Sequence, residues 1–197
     1  MNQQTFAFLF FIHPLWSFIS IVGLLVFWFF KKKLPSIKSF KKILNIFIVV
    51  ILSQAFLETF LNWFLWSKAE LTQRLIPPYA PVTYVIQYSW QHYLFEPVIV
   101  ILVALLAFWL INRLNKRFNN QFFYDEEPYL AVLGILVTGW PNCLIYLCLV
   151  LLLGVISHFI VKEKRFPLLY FWLPSALLVL FLGGIISKYI GITQFVI

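Results

Sequence analysis

The sequence predicts an all-α protein, a polytopic bundle of transmembrane helices forming a single integral membrane domain over residues 1–197. Three observations carry that reading. First, 62% of the residues are hydrophobic and only 11% are charged, too little polar surface for a chain of this length to cover itself in water. Second, several charge-poor runs are long enough to cross a bilayer core of about 30 Å as helices. Third, the basic residues stand in short clusters beside those runs, as topology determinants do, so the net charge of +8 is not read as a nucleic-acid surface.

Taken in order, Phe6 to Phe30 is free of charge and stops at Lys31-Lys32-Lys33. His13-Pro14 kinks this first span or marks its start. No positive charge precedes the apolar run, so a cleavable signal is not expected. The linker from Lys31 to Lys42 is lysine-rich and broken by Pro35; the positive-inside rule makes it cytoplasmic and leaves the amino terminus outside.

The second span runs from about Ile43 to Trp66 and holds a carboxylate in its apolar course. Gln54, Glu58 and Asn62 are spaced by four, which stacks them as an intramembrane polar stripe on one helix face. Two roles suit Glu58. It is either protonated structural glue, hydrogen-bonded to another helix, or part of a solute or ion path facing a cavity. No lysine or arginine lies inside another span to pair with it.

From Ser67 to Tyr93 the chain mixes Glu70, Arg74, Pro77, Pro78 and Pro81 with Tyr84, Tyr88, Trp90 and Tyr93. The prolines deny one continuous helix and the aromatic residues favour the membrane–water interface, so an interfacial or re-entrant segment is expected. His92 and Glu96 are one turn apart, half of a metal-binding pattern; without a second pair, a structural pairing is the expectation and no metal is assigned. The third span, Pro97 to Ile111, ends in Asn112, Arg113, Lys116 and Arg117, which puts that end inside.

Next comes Tyr124-Asp125-Glu126-Glu127-Pro128, where three of the chain's seven acids meet the start of an apolar helix. Proline fits the first helical turn and the carboxylates complement the dipole there, as a solvated cap or as a charged catalytic mouth. The apolar run beyond is too long for one span and is interrupted at Gly139-Trp140-Pro141-Asn142. A half-helix over 129–138 and a full span over 143–161 are therefore expected. Lys162, Lys164 and Arg165 follow on the inner side, and Pro167 to Ser187 forms the last span. The sum is about five full spans plus a half-helix or re-entrant segment, with both termini outside and the cytoplasmic (plasma) membrane as the location. Cys143 and Cys148 sit in an apolar run and read as packing residues. No Gly-rich phosphate loop or haem-attachment motif occurs, and no cofactor is expected.

From Glu126 onward the chain resembles the carboxy-terminal part of type IV prepilin peptidases, membrane aspartyl proteases of the GxGD kind. The resemblance rests on Glu126 at the position of the second catalytic aspartate, Ala131 to Gly134, the Gly139-Trp140 turn, Leu149 to Gly154, and Arg165-Phe166-Pro167. Glu70, ahead of Ile76-Pro77, stands where the first aspartate would be. The resemblance spans roughly residues 70 to 187 and implies a catalytic pair drawn from Glu70, Glu126 and Glu127, with a prepilin-like or other transmembrane helix as partner. Departures from the pattern are specific: glutamate replaces both aspartates, the GxGD glycines are absent, Pro128 replaces a lysine, and there is no zinc-type cysteine motif. Displacing a carboxylate by one methylene, about 1 Å, can cost roughly 100-fold in rate, so the resemblance implies a helix-binding scaffold that has lost cleavage. The charge pattern agrees, placing Glu70 outside and Glu126 inside. An active divergent peptidase and a small transporter built on the Glu58 stripe are the alternatives.

Overall fold

The computed structural model describes residues 23, 37–68, 70–118, 123–161, 168 and 171–190. All regular structure among them is helical. The helices are α1 (Ile37–Lys68), the single turn α2 (Glu70–Gln73), α3 (Val82–Ser89), α4 (Phe95–Arg117), α5 (Glu127–Thr138), α6 (Asn142–Val161) and α7 (Trp172–Ile190). A π-helical turn, Trp90–Leu94, joins α3 to α4 without a break.

Among the described residues, three stretches are long and apolar enough to cross a membrane: Phe40–Lys68, Val82–Arg117 and Trp172–Tyr189. Glu127–Thr138 and Asn142–Ser157 are shorter apolar helices. The expected first span, Phe6 to Phe30, lies outside the described residues apart from Gly23, as do the basic residues at 162, 164 and 165.

The stretch from 82 to 94 differs from its expected interfacial or re-entrant form. It is the first part of one helix of 36 residues that continues to Arg117. The prolines at 77, 78 and 81 do interrupt the chain, in the turns between α2 and α3. Pro97, by contrast, sits inside the helix directly after the π-helical turn. A proline ring clashes with the carbonyl four residues back, and a wider turn at that point accommodates it.

Helix α1 and the α3–α4 helix form an antiparallel hairpin, with residues 70–81 at its closed end. Near the closed end the Trp66 ring lies 6.2 Å from Tyr84 and 4.7 Å from Tyr88. At the open end Phe40 stacks on Tyr129 with centroids 6.2 Å apart, and Phe108 meets the same tyrosine edge-on at 5.4 Å. Lys38, Lys41, Lys42, Arg113, Lys116 and Arg117 therefore gather at one end of the bundle. The opposite end is the aromatic one.

Helix α5 is the centre of the fold. It packs against α1, α4, α6 and α7, and every residue of it except Tyr129 and Val137 is buried. Burial on all sides follows from its composition, since EPYLAVLGILVT offers no polar face between Pro128 and Thr138. Its approach to α6 depends on Gly134, because a Cβ there would overlap the Tyr146 side chain. At its start Asn115, buried on α4, clasps the backbone of Phe123 twice, donating from Nδ2 to the carbonyl and accepting from the N–H, both at 3.1 Å. At its end Gly139 takes φ 69°, the left-handed region that favours glycine, and the chain reverses through Trp140 and Pro141 into α6.

Large apolar side chains such as Phe56, Phe60, Leu105, Leu106, Leu151, Leu152, Phe181 and Ile185 cover the outer faces of α1, α4, α6 and α7. Outward apolar surface around a bundle with a buried centre is the arrangement expected of a protein solvated by lipid.

Candidate functional site

Position along α1 decides which of the sequence-nominated carboxylates can work together. Phe40, at one end of α1, touches Tyr129, three residues from Glu126. Glu70 follows the other end of α1, 28 residues beyond Phe40 at Lys68, a rise of roughly 42 Å. Glu70 is exposed there, on the turn α2. The structure therefore does not bring Glu70 and Glu126 together.

Glu126 and Glu127 are also separated in direction. Neighbouring residues at a helix start project about 100° apart and do not face each other. Asp125 is exposed and Glu126 half-buried, in keeping with a solvated cap, but Glu127 is fully buried. Its Oε2 accepts a hydrogen bond from Trp172 Nε1 at 3.4 Å. Trp172 in turn lies 6.2 Å from the Tyr146 ring, centroid to centroid. Glu127 thus joins the first turn of α5 to the first turn of α7, a role closer to architecture than to the charged mouth.

The polar stripe on α1 has a different setting. Gln54 Nε2 donates to Glu58 Oε1 at 2.8 Å, so the spacing of four does make one continuous polar strip. Both side chains line a cavity of about 550 Å³ bounded by α1, the π-helical turn, the start of α4, the α5–α6 turn and α7. Asn62, one turn further along, does not line it. Gln54 and Glu58 stand 14 and 18 residues from Phe40, roughly 21 and 27 Å along the helix, within the thickness of a bilayer core.

Polar and aromatic groups from other elements line the same cavity. His92, Tyr93 and Glu96 come from the π-helical turn and the start of α4; Thr138, Gly139, Trp140 and Asn142 come from the α5–α6 turn. Tyr93 lies beside Tyr88, ring centroids 6.3 Å apart, and within electrostatic reach of Glu58. His92 packs on the Tyr88 ring at 4.2 Å. The indole Nε1 of Trp140 and the Oδ1 of Asn142 are buried and meet no hydrogen-bond partner among the described residues. Buried polar atoms without partners are rare and mark places where a polar guest or water is expected.

Local sequence explains why the cavity forms here. The half-helix α5 ends at Thr138, well short of the length of α1, so among the described residues it leaves the space beside Glu58 unfilled. Gly183 on α7 lets Asn142 approach closely, with an added Cβ only 3.1 Å from Asn142 Cγ. The π-helical turn rotates His92 and Glu96 relative to a regular helix; such turns recur at functional sites.

No protein-family model matches this chain, and no curated protein or solved structure matches it at a significant level.

Proposed function

We propose that this protein binds a small solute within the bilayer and moves it, as a small transporter or solute-conducting protein with Glu58 on the path. The observation that carries the reading is the cavity of about 550 Å³, which has the size of a small-molecule site and is lined on one side by Gln54 and Glu58. A carboxylate within a membrane span is costly, and facing a cavity lets it keep polar contacts. The test is uptake by proteoliposomes of three labelled probes, tetraethylammonium, mannitol and lactate, by the wild type and by Glu58→Leu. At least one probe enters faster through the wild type than through protein-free vesicles, and Glu58→Leu loses that excess while still inserting in the membrane. No excess for any probe, or equal uptake by the variant, rejects the reading.

The same proposal extends to topology. The three helices long enough to cross would be joined by Phe6 to Phe30 and by α6 to give five crossings, with α5 as the half-helix. The basic end would face the cytoplasm and the protein would sit in the cytoplasmic membrane.

A second reading keeps the resemblance to prepilin peptidases at the level of a scaffold that binds a prepilin-like transmembrane helix without cutting it. It draws on the element order from Glu126 on: a short helix, a Gly-Trp turn, a returning helix and a final span. Co-purification with a co-expressed prepilin would support it, and its absence would count against it.

A further inference from the structure

Resting on the solute-site reading above, we infer that the cavity selects an organic cation, a quaternary ammonium or comparable onium group with an apolar body. The chain carries 15 Lys and Arg against seven Asp and Glu. Among the described residues no lysine or arginine lines the cavity, while two of the seven acids, Glu58 and Glu96, do. Among the described residues these two carboxylates share one chamber, and the lysines and arginines stand toward the helix ends.

Helix dipoles do not reverse that sign. The carboxyl end of α5 and the amino end of α6 meet at the same turn beside the cavity, so their opposed partial charges offset. Glu58, whose hydrogen-bond partner is the neutral Gln54, then sets the sign of the chamber.

Volume and lining then choose among cations. A single metal or alkali ion would leave most of 550 Å³ unfilled, and among the described residues no three His, Cys, Asp or Glu side chains converge as metal ligands. The walls instead carry the aromatic groups Tyr93, His92 and Trp140 beside apolar side chains of α1 and α5. Aromatic faces attract weakly hydrated organic cations, most of all in a site removed from water. Carboxylate and ring together suit an onium centre, and the apolar walls suit its substituents.

The experiment measures equilibrium binding of labelled tetraphenylphosphonium to the full-length protein in detergent, with tetraphenylborate as an anion of matching shape. Saturable binding of the cation and none of the anion is expected. Glu58→Gln and Glu96→Gln each weaken it about tenfold or more, Tyr93→Leu weakens it and Tyr93→Phe does not, as an electrostatic and cation–π site requires. Val137→Trp, which fills the cavity from α5 without touching a charge, removes binding and guards against a folding defect in the glutamate variants. Equal binding of the borate, no saturable binding of the cation, or wild-type affinity in both glutamine variants overturns the proposal. If mannitol or lactate is the probe carried in the uptake assay, the cation assignment falls while the solute-site reading stands; if none is carried and tetraphenylphosphonium still binds saturably, the reverse holds.

Discussion

Trp172 donates its indole N–H to Glu127 at 3.4 Å, and that bond ties the first turn of α7 to the first turn of α5 in the fully buried centre of the bundle. A buried acceptor matters there because the indole otherwise keeps an unsatisfied donor, at a cost of about 1–3 kcal/mol. Glu127→Gln keeps a carbonyl oxygen that can accept the bond, so its thermal unfolding in detergent should stay close to wild type. Glu127→Ala and Trp172→Phe should both unfold at lower temperature. Equal stability of Glu127→Ala and wild type would remove the structural role given to this pair.

Gly134 meets the side chain of Tyr146, which is fully buried and has no room to swing away. Gly134→Ala should therefore destabilise by about 1–3 kcal/mol, the usual range for overpacking. Combining it with Tyr146→Leu should cost less than the sum of the two single changes, because the second substitution removes the clash created by the first. Chemical or thermal unfolding of the four proteins in the cycle measures this directly.

Asn115 holds Phe123 by two hydrogen bonds, one in each direction, across the connection between α4 and α5. Asn115→Ala deletes both and should lower the unfolding temperature, by about 1–3 kcal/mol in free energy. Asn115→Asp retains only the acceptor and should fall between. A variant series with no ordering would mean that the clasp contributes nothing.

Glu70 stands roughly 42 Å along α1 from the level of Glu126, and Glu127 is turned into the core, so these three carboxylates do not come together as a pair. Neither the wild type nor Glu126→Gln should cleave a co-expressed prepilin. Cleavage by the wild type that disappears in Glu126→Gln would reinstate a catalytic role for Glu126.

Much of the helix order could be read from composition and breakers. Pro128 at a helix start, the Gly139-Trp140-Pro141 interruption and the apolar run beyond them placed α5 and α6 within two residues of where they lie. The spacing of Gln54 and Glu58 put them on one helix face, where they hydrogen-bond each other. What the sequence hid was relative position. Pro97 looked like a helix start because the π-helical turn that accommodates it has no marker of its own in the one-letter code. Asn62 shares the spacing of the stripe but not the cavity, since the chamber is bounded by where α5 ends, which is a tertiary fact. His92 and Glu96, whose spacing suggested a structural pair, line the same cavity as Glu58, a shared setting that their spacing alone does not show. Asn115 gave no signal at all, being one asparagine among several at the end of a basic helix.

The most direct test of the central claim is whether a water-soluble reagent reaches the chamber beside Glu58. In a background with Cys143 and Cys148 replaced by alanine, Val137→Cys puts one thiol on the cavity wall, and Val100→Cys puts another on the facing helix. Charged methanethiosulfonate reagents applied to sealed proteoliposomes should modify both thiols, the cationic reagent faster than the anionic one, and tetraethylammonium should slow the reaction. Thiols that stay unmodified until the protein is denatured would show a closed, solute-free core and would contradict the account.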